Sequence, residues 1–125
     1  MPEELRGYRI LIVEDEYWIG ADLEDALRAE GAEVIGPVTL AETARSIVAT
    51  QLCHAVVLDI KLIDEDGYLL ADDLTQRQIP FVFATAYGAD SIPDRFKAVT
   101  RWEKPYDPEK LVGALTQMLR TRRPK

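Results

Sequence analysis

The chain has 125 residues, and at roughly 100–150 residues per domain it is expected to form one globular domain, with no separate output or catalytic domain. Its 35 Leu, Ile, Val and Phe residues lie well above the level of disordered chains, so a core can be buried. The net charge of −7 argues against a general nucleic-acid binder, whose phosphate contacts demand clustered Lys and Arg.

Tyr8–Val13 is the first continuous apolar run, rich in branched and aromatic residues and ending in acids, which predicts a strand covered on both faces. Ile19, Leu23, Ala26 and Leu27 then share one helical face, and Gly31 is placed to end that helix. Glu33–Val38 is a weaker strand, followed by a helix over Ala41–Gln51 with Ala44, Ile47 and Val48 inward. Ala55–Leu58 gives the third strand, Tyr68–Arg77 the third helix with Leu70 and Leu74 inward, and Pro80–Ala84 the fourth strand. A fourth helix is expected over Ala89–Phe96, though Pro93 interrupts it, and Ala98–Glu103 supplies the last strand. Asp107–Arg120 closes the series as a helix with Leu111, Ala114, Leu115, Met118 and Leu119 in its stripe.

Strand then helix, repeated with right-handed crossovers, predicts an α/β doubly wound parallel sheet with helices on both faces. For five strands the flavodoxin-like order 2-1-3-4-5 is the natural choice, with five helices. The domain is expected to occupy residues 1–125, with its core at about 8–120 and a basic tail at 121–125. Residues 1–100 carry 8 basic and 19 acidic side chains, whereas 101–125 carry 7 and 3. Tail residues Arg120, Arg122, Arg123 and Lys125 are expected to be solvated.

The single cysteine, Cys53, excludes an internal disulfide and fits a reducing compartment. Cys53 and His54 are adjacent and have no further Cys/His partners, so both are read as structural rather than as zinc ligands. Met1 to Arg9 has no signal-like apolar core, and no stretch reaches the ~18 apolar residues of a membrane span. A cytoplasmic location without membrane contact is expected.

Ligands of such sheets sit at the carboxyl ends of the strands. The first strand ends in Glu14-Asp15-Glu16, the third in Asp59, the fourth in Thr85 and the fifth in Glu103-Lys104-Pro105. Clustered carboxylates repel, so each pKa rises unless a cation neutralises them, and hard oxygen ligands with room for water suit Mg²⁺. A carboxylate beside Mg²⁺ can attack phosphorus to form an acyl phosphate. The oxygens of the transferred group then need a metal, an ammonium and a short hydroxyl or backbone N–H as partners. Glu14, Asp15, Asp59, Thr85 and Lys104 supply that set.

These residues resemble the receiver domains of bacterial two-component response regulators, in order and spacing, over essentially the whole chain. In the resemblance the acidic pair falls on Glu14 and Asp15, the phosphoacceptor on Asp59, the switch hydroxyl on Thr85 and the Lys-Pro pair on Lys104-Pro105. Asp66-Gly67 matches the loop after the third strand. The resemblance implies that Asp15, Asp59 and the backbone carbonyl of Lys61 bind Mg²⁺ directly, that Glu14 acts through water, and that the Lys104-Pro105 peptide is cis. It implies a sensor histidine kinase as phosphoryl donor, and either a downstream protein contact or onward transfer to a histidine phosphotransfer protein. Such a protein catalyses only its own phosphoryl transfer and dephosphorylation. Phe83-Ala84-Thr85-Ala86-Tyr87-Gly88 looks like the run that names the FAT GUY receiver subfamily, with Ala86 where that motif has Gly. Members of that group include stand-alone receivers connected with general stress signalling.

Some positions depart from the family pattern. Arg101 stands where many receivers place an aromatic that swings inward, a move that a guanidinium cannot copy. It is read either as contacting a partner or an acid on the last helix, or as a solvated stem. Trp102, on the opposite face of that strand, is expected in the core. Lys61 is placed to overhang Asp59, where it would alter acyl-phosphate lifetime, with a solvated lysine as the plainer alternative. Ile63 replaces a Pro common in its loop, and Tyr87 is placed either over the mouth of the site or as an ordinary loop aromatic. The acids Asp64, Glu65, Asp66, Asp72 and Asp73 read as a solvated run, and His54 falls at the far end of the sheet from Asp59.

Three other functions compete. A Mg²⁺-dependent phosphatase using an aspartyl phosphate needs an acid–base Asp just after its nucleophile, where Lys61 stands, and usually a cap domain. A pseudo-receiver that only binds partners is expected to lack a key acid or the lysine. A flavin-binding domain needs a Ser/Thr/Gly-rich phosphate loop, where Glu14-Asp15-Glu16 would repel phosphate. A homodimer through the last strand–helix unit is compatible with the sequence.

Overall fold

Strand β1, Arg9–Val13, sends Leu11 and Val13 to one side of the sheet and Ile10 and Ile12 to the other, as the two-residue side-chain period requires. The computed structural model describes residues 3–62, 64, 66–86 and 92–122. The remaining strands are β2 (Glu33–Val38), β3 (Ala55–Leu58), β4 (Phe81–Thr85) and β5 (Arg101–Glu103). Every neighbouring pair is parallel and the order is β2-β1-β3-β4-β5, as expected from the sequence. β5 is shorter than expected: Ala98–Thr100 precedes the strand rather than joining it.

Two cores follow from the alternation. On one face Leu11, Val13, Val56, Leu58, Phe81 and Phe83 pack against α2 (Ala41–Thr50), α3 (Tyr68–Gln76) and a 3₁₀ turn at Asp94–Phe96. On the other, Ile10, Ile12, Val57, Val82 and Ala84 pack against α1 (Tyr17–Ala29) and α4 (Pro108–Arg122). Leu5, ahead of β1, is fully buried on this second face. Because both faces are covered, the inner strands read as unbroken apolar runs.

Among the described residues there are four α-helices rather than five. Where a fourth helix was expected the structure has the 3₁₀ turn Asp94–Phe96, preceded by Pro93 in extended conformation. Proline's fixed ring and missing N–H oppose a helix through that point, and 89–91 lie outside the described residues. The stripe of α4 is also rotated from expectation. Val112 and Thr116 are buried alongside Leu111, Leu115 and Leu119, whereas Ala114 is exposed and Met118 half-buried.

Gly31 ends α1 as expected, with φ +87° and its N–H donating to the Arg28 carbonyl at 2.9 Å. A Cβ there would lie 2.8 Å from Cβ of Glu3, so only glycine suits both the left-handed backbone and the close approach.

The acidic run after Asp59 is not merely solvated. Asp64 accepts hydrogen bonds from the N–H groups of Ala41 and Glu42 at 2.9 and 3.1 Å. It thereby satisfies orphan donors at the start of α2, whose own N-cap, Leu40, supplies no side-chain bond. Asp66 accepts from Tyr68 N–H, Asp73 pairs with Arg77, and Asp72 takes both nitrogens of the Arg95 fork at 2.9 and 3.0 Å. Asp66 and Asp73 bond to near neighbours in sequence, whereas the donors to Asp64 and Asp72 lie 22 or 23 positions away, where spacing alone does not reveal them; Glu65 lies outside the described residues. At the other end of the chain Arg120 pairs with Glu4 at 3.1 Å, so its side chain is not simply solvated.

Candidate phosphoryl-transfer site

Strand pairing builds the site directly. Val13 of β1 and Leu58 of β3 are register partners, so the next residues, Glu14 and Asp59, emerge side by side at the carboxyl edge. The Asp59 N–H donates to the Val13 carbonyl at 2.9 Å and the Glu14 N–H to the Val38 carbonyl at 2.8 Å, fixing both backbones. On the opposite flank Thr85 ends β4, and the Lys104 N–H donates to its carbonyl at 3.0 Å just past β5. The Lys104-Pro105 peptide is cis, as the resemblance implied.

Lys104 Nζ donates to Glu14 Oε2 at 2.9 Å, to Glu16 Oε1 at 2.8 Å and to Asp59 Oδ2 at 3.0 Å. An ammonium has three N–H donors, and here all three end on carboxylates. The side chains of Lys104, Glu14 and Asp59 are 7, 4 and 5% exposed, whereas that of Glu16 is 57% exposed. Glu14, Asp15, Glu16 and Asp59 each offer an oxygen within 4.8 Å of the others.

One ammonium does not balance this much negative charge. Burial pushes the Glu14 carboxyl up to about 7, and the nearby Asp59 charge adds to the rise despite the hydrogen bond from Lys104. Burial also raises Asp59, opposed by Lys104. For Lys104, burial alone would favour the neutral amine. Its hydrogen bonds to Glu16, Glu14 and Asp59 win and hold it above the ordinary lysine value.

A cleft of about 230 Å³ opens over these groups, lined by Asp15, Glu16, Asp59, Lys61, Thr85, Ala86 and Lys104. Larger hollows, of about 460 and 550 Å³, lie between α1 and α4 and beneath β4 and β5, away from the strand ends that carry Asp59 and Lys104. Thr85 is buried, Ala86 is exposed at the rim, and Tyr87 lies outside the described residues. Lys61 is exposed at the mouth and its N–H points to Asp59 Oδ1 at 3.3 Å. Arg101 reaches Glu103, on its own strand, at 3.5 Å. Pro105 is exposed, and Trp102 packs against the α1/α4 core. His54 lies at the opposite end of the sheet, where its Nδ1 accepts the Arg9 N–H at 2.9 Å and its ring meets Tyr8 edge-on. Cys53 is buried. Both therefore have the structural places expected of them.

Glu16 is a site residue that the sequence motifs do not mark. Its only signal was its place directly after the acidic pair, and its bond to Lys104 spans 88 positions. Tyr106 is a second omission: its hydroxyl is buried with no hydrogen-bond partner among the described residues, beside Ile19, Asp22, Pro105 and Pro108.

The family model described as the response regulator receiver domain matches residues 10–116. The chain belongs to that family. The match is to the receiver as a whole and does not separate out the subfamily suggested by Phe83-Ala84-Thr85. An uncharacterized transcriptional regulatory protein of Bacillus subtilis, YbdJ, is 32% identical to the receiver over 121 residues, covering 92% of this chain and 52% of that protein. The phyllosphere-induced regulator PhyR of Methylorubrum extorquens is 34% identical over 119 residues, covering 88% of this chain and 43% of its own. The solution structure of SdrG from Sphingomonas melonis Fr1 superposes with a TM-score of 0.78 at 35% identity, covering 93% of this chain and 98% of that one. The receiver spans about half the length of the curated relatives it matches. Among the described residues no helix is long and apolar enough to cross a membrane.

Proposed function

We propose that Asp59 accepts a phosphoryl group from a sensor histidine kinase in a Mg²⁺-dependent reaction. An Asp59 carboxylate oxygen forms the bond to phosphorus while the P–N bond of the donor phosphohistidine breaks, its electron pair leaving with the imidazole nitrogen. The observation that carries this reading is the Lys104 ammonium, 7% exposed and 3.0 Å from Asp59 Oδ2, beside a cleft that also holds Asp15 and Thr85.

The donor set fits Mg²⁺, being all oxygen, with carboxylate charge that one ammonium leaves unbalanced and a buried Glu14 raised to about 7. Asp15, Asp59 and the Lys61 carbonyl would hold the ion, and Glu14 would act through water. Bound Mg²⁺ would neutralise the carboxylates and the incoming phosphoryl oxygens. Lys104 then takes a second phosphoryl oxygen and the Thr85 hydroxyl a third, which biases the ends of β4 and β5 toward a new arrangement. The output is a protein contact on that face or onward transfer to a histidine phosphotransfer protein, and the protein turns over no other substrate. We place it in the FAT GUY group on the strength of Phe83-Ala84-Thr85, and in the cytoplasm.

The test is intact-protein mass after incubation with acetyl phosphate, with and without Mg²⁺, for the wild type and Asp59→Asn. A Mg²⁺-dependent gain of one phosphoryl group, absent from the variant, is expected. An equal gain in the variant contradicts the assignment of the acceptor.

A further inference from the structure

The three-way pairing of Lys104 places a constraint on its use. All three N–H donors are engaged, by Glu14, Glu16 and Asp59, so a phosphoryl oxygen can take one only by displacing a carboxylate. The three partners differ in what displacement costs. Glu14 is 4% exposed, and separating it from the ammonium leaves a buried charge uncompensated. Asp59 is itself the residue that carries the phosphoryl group. Glu16 is 57% exposed, so water replaces the ammonium at little cost once it lets go.

From this asymmetry we infer that Glu16 is a positioning residue that occupies, on Lys104, the place a phosphoryl oxygen later takes. The inference rests on Asp59 being the acceptor and deepens that reading. Glu16 holds the third donor in the resting protein, swings into solvent as the phosphoryl group arrives, and slows the reaction by the strength of the bond it gives up. Without it Lys104 does not wander, because Glu14 and Asp59 still hold it by two buried bonds. The freed N–H is then available to the phosphoryl oxygen from the start.

Loss of the bond must be separated from loss of negative charge, which alone would ease the approach of an anionic donor. Aspartate makes the separation, since it keeps the charge but is one methylene too short to reach Nζ in the same geometry. Position 16 is also the N-cap of α1 and at present makes no side-chain cap bond. Aspartate is favoured at such a cap, so Glu16→Asp keeps the fold.

The experiment compares initial rates of phosphorylation by acetyl phosphate at saturating Mg²⁺ for the wild type, Glu16→Asp, Glu16→Gln and Glu16→Ala, with circular dichroism as the folding control. Glu16→Asp and Glu16→Ala are both expected to react roughly three- to fivefold faster than wild type, the scale of an exposed ion pair. Glu16→Gln, which can still accept from Nζ through a neutral oxygen, is expected between them and wild type. A Glu16→Asp rate equal to wild type, with Glu16→Gln equal to Glu16→Ala, would show a charge effect only and overturn the inference. A wild type that reacts while all variants match it overturns the inference but not the acceptor reading. A wild type that takes no phosphoryl group overturns both.

Discussion

Lys104 Nζ donates to Asp59 Oδ2 at 3.0 Å, although 45 residues separate the two in the chain. The contact exists because β3, β4 and β5 lie parallel and adjacent, so the end of each strand is delivered to the same edge. The same ammonium spans 90 residues to reach Glu14, so one side chain joins the ends of β1, β3 and β5.

Removing that ammonium leaves two buried carboxylates without their common partner. Lys104→Met is expected to destabilise the metal-free protein by about 3–5 kcal/mol at pH 7.5. The loss should be smaller at pH 5, where the buried acids are more readily protonated. Urea unfolding in the presence of a chelator checks this, and adding Asp59→Asn to the Lys104→Met variant should recover part of the loss.

The raised pKa of Glu14 has a defined sign for stability. Its folded value is about 7 against an ordinary 4.5, so between those values the folded state binds more protons than the unfolded one. Stability therefore falls as pH rises through this window, by up to ~3 kcal/mol for a single group with such a shift. Asp59 is shifted in the same direction and contributes with the same sign. Chelator-treated protein is expected to show a lower urea midpoint at pH 7.5 than at pH 5. Asp59→Asn, which removes one cause of the Glu14 shift, should flatten the dependence, and a midpoint that rises with pH would contradict the charge balance described for the site.

Much of this architecture was legible because each inner strand is an apolar run that stops at a chemically distinctive residue. Ala55–Leu58 ending in Asp59 shows both at once, and β2 was placed residue for residue. What escaped was set by contacts distant in sequence. Asp64 looked like one acid among several, since nothing local shows that α2 lacks a cap of its own and takes one from 23 residues away. Glu16 follows the acidic pair with no local sign of a role, because that role depends on where Lys104 ends. The stripe of α4 differs from expectation because the face turned to α1 holds Val112 beside Leu111 and Leu115, with Thr116 buried one turn on, which spacing within α4 alone does not select.

Asp64 ties the loop that follows Asp59 to the first turn of α2 through two N–H bonds. Asp64→Ala is expected to cost about 1 kcal/mol, as a lost helix cap does, read as a lower urea midpoint with an unchanged slope. Asp64→Asn, which keeps an acceptor, should lose less. Equal losses would show that the charge rather than the hydrogen bonds matters there.

Lys61 stands exposed at the mouth of the cleft beside Asp59. If its stem overhangs a phosphoryl group on Asp59, it would cover the approach of water, so Lys61→Ala is expected to shorten the acyl-phosphate half-life severalfold. Dephosphorylation after removal of the donor measures this, and identical half-lives would return Lys61 to the role of a solvated surface lysine.

Whether Asp59 carries the phosphoryl group is decided by locating the modified residue. Protein treated with acetyl phosphate and Mg²⁺ is reduced with borohydride, which converts an aspartyl phosphate to homoserine, then digested and sequenced by tandem mass spectrometry. Homoserine at position 59, and its absence when Mg²⁺ is withheld, is the predicted result. Homoserine at Asp15 or Asp66, or at position 59 irrespective of Mg²⁺, would contradict the account.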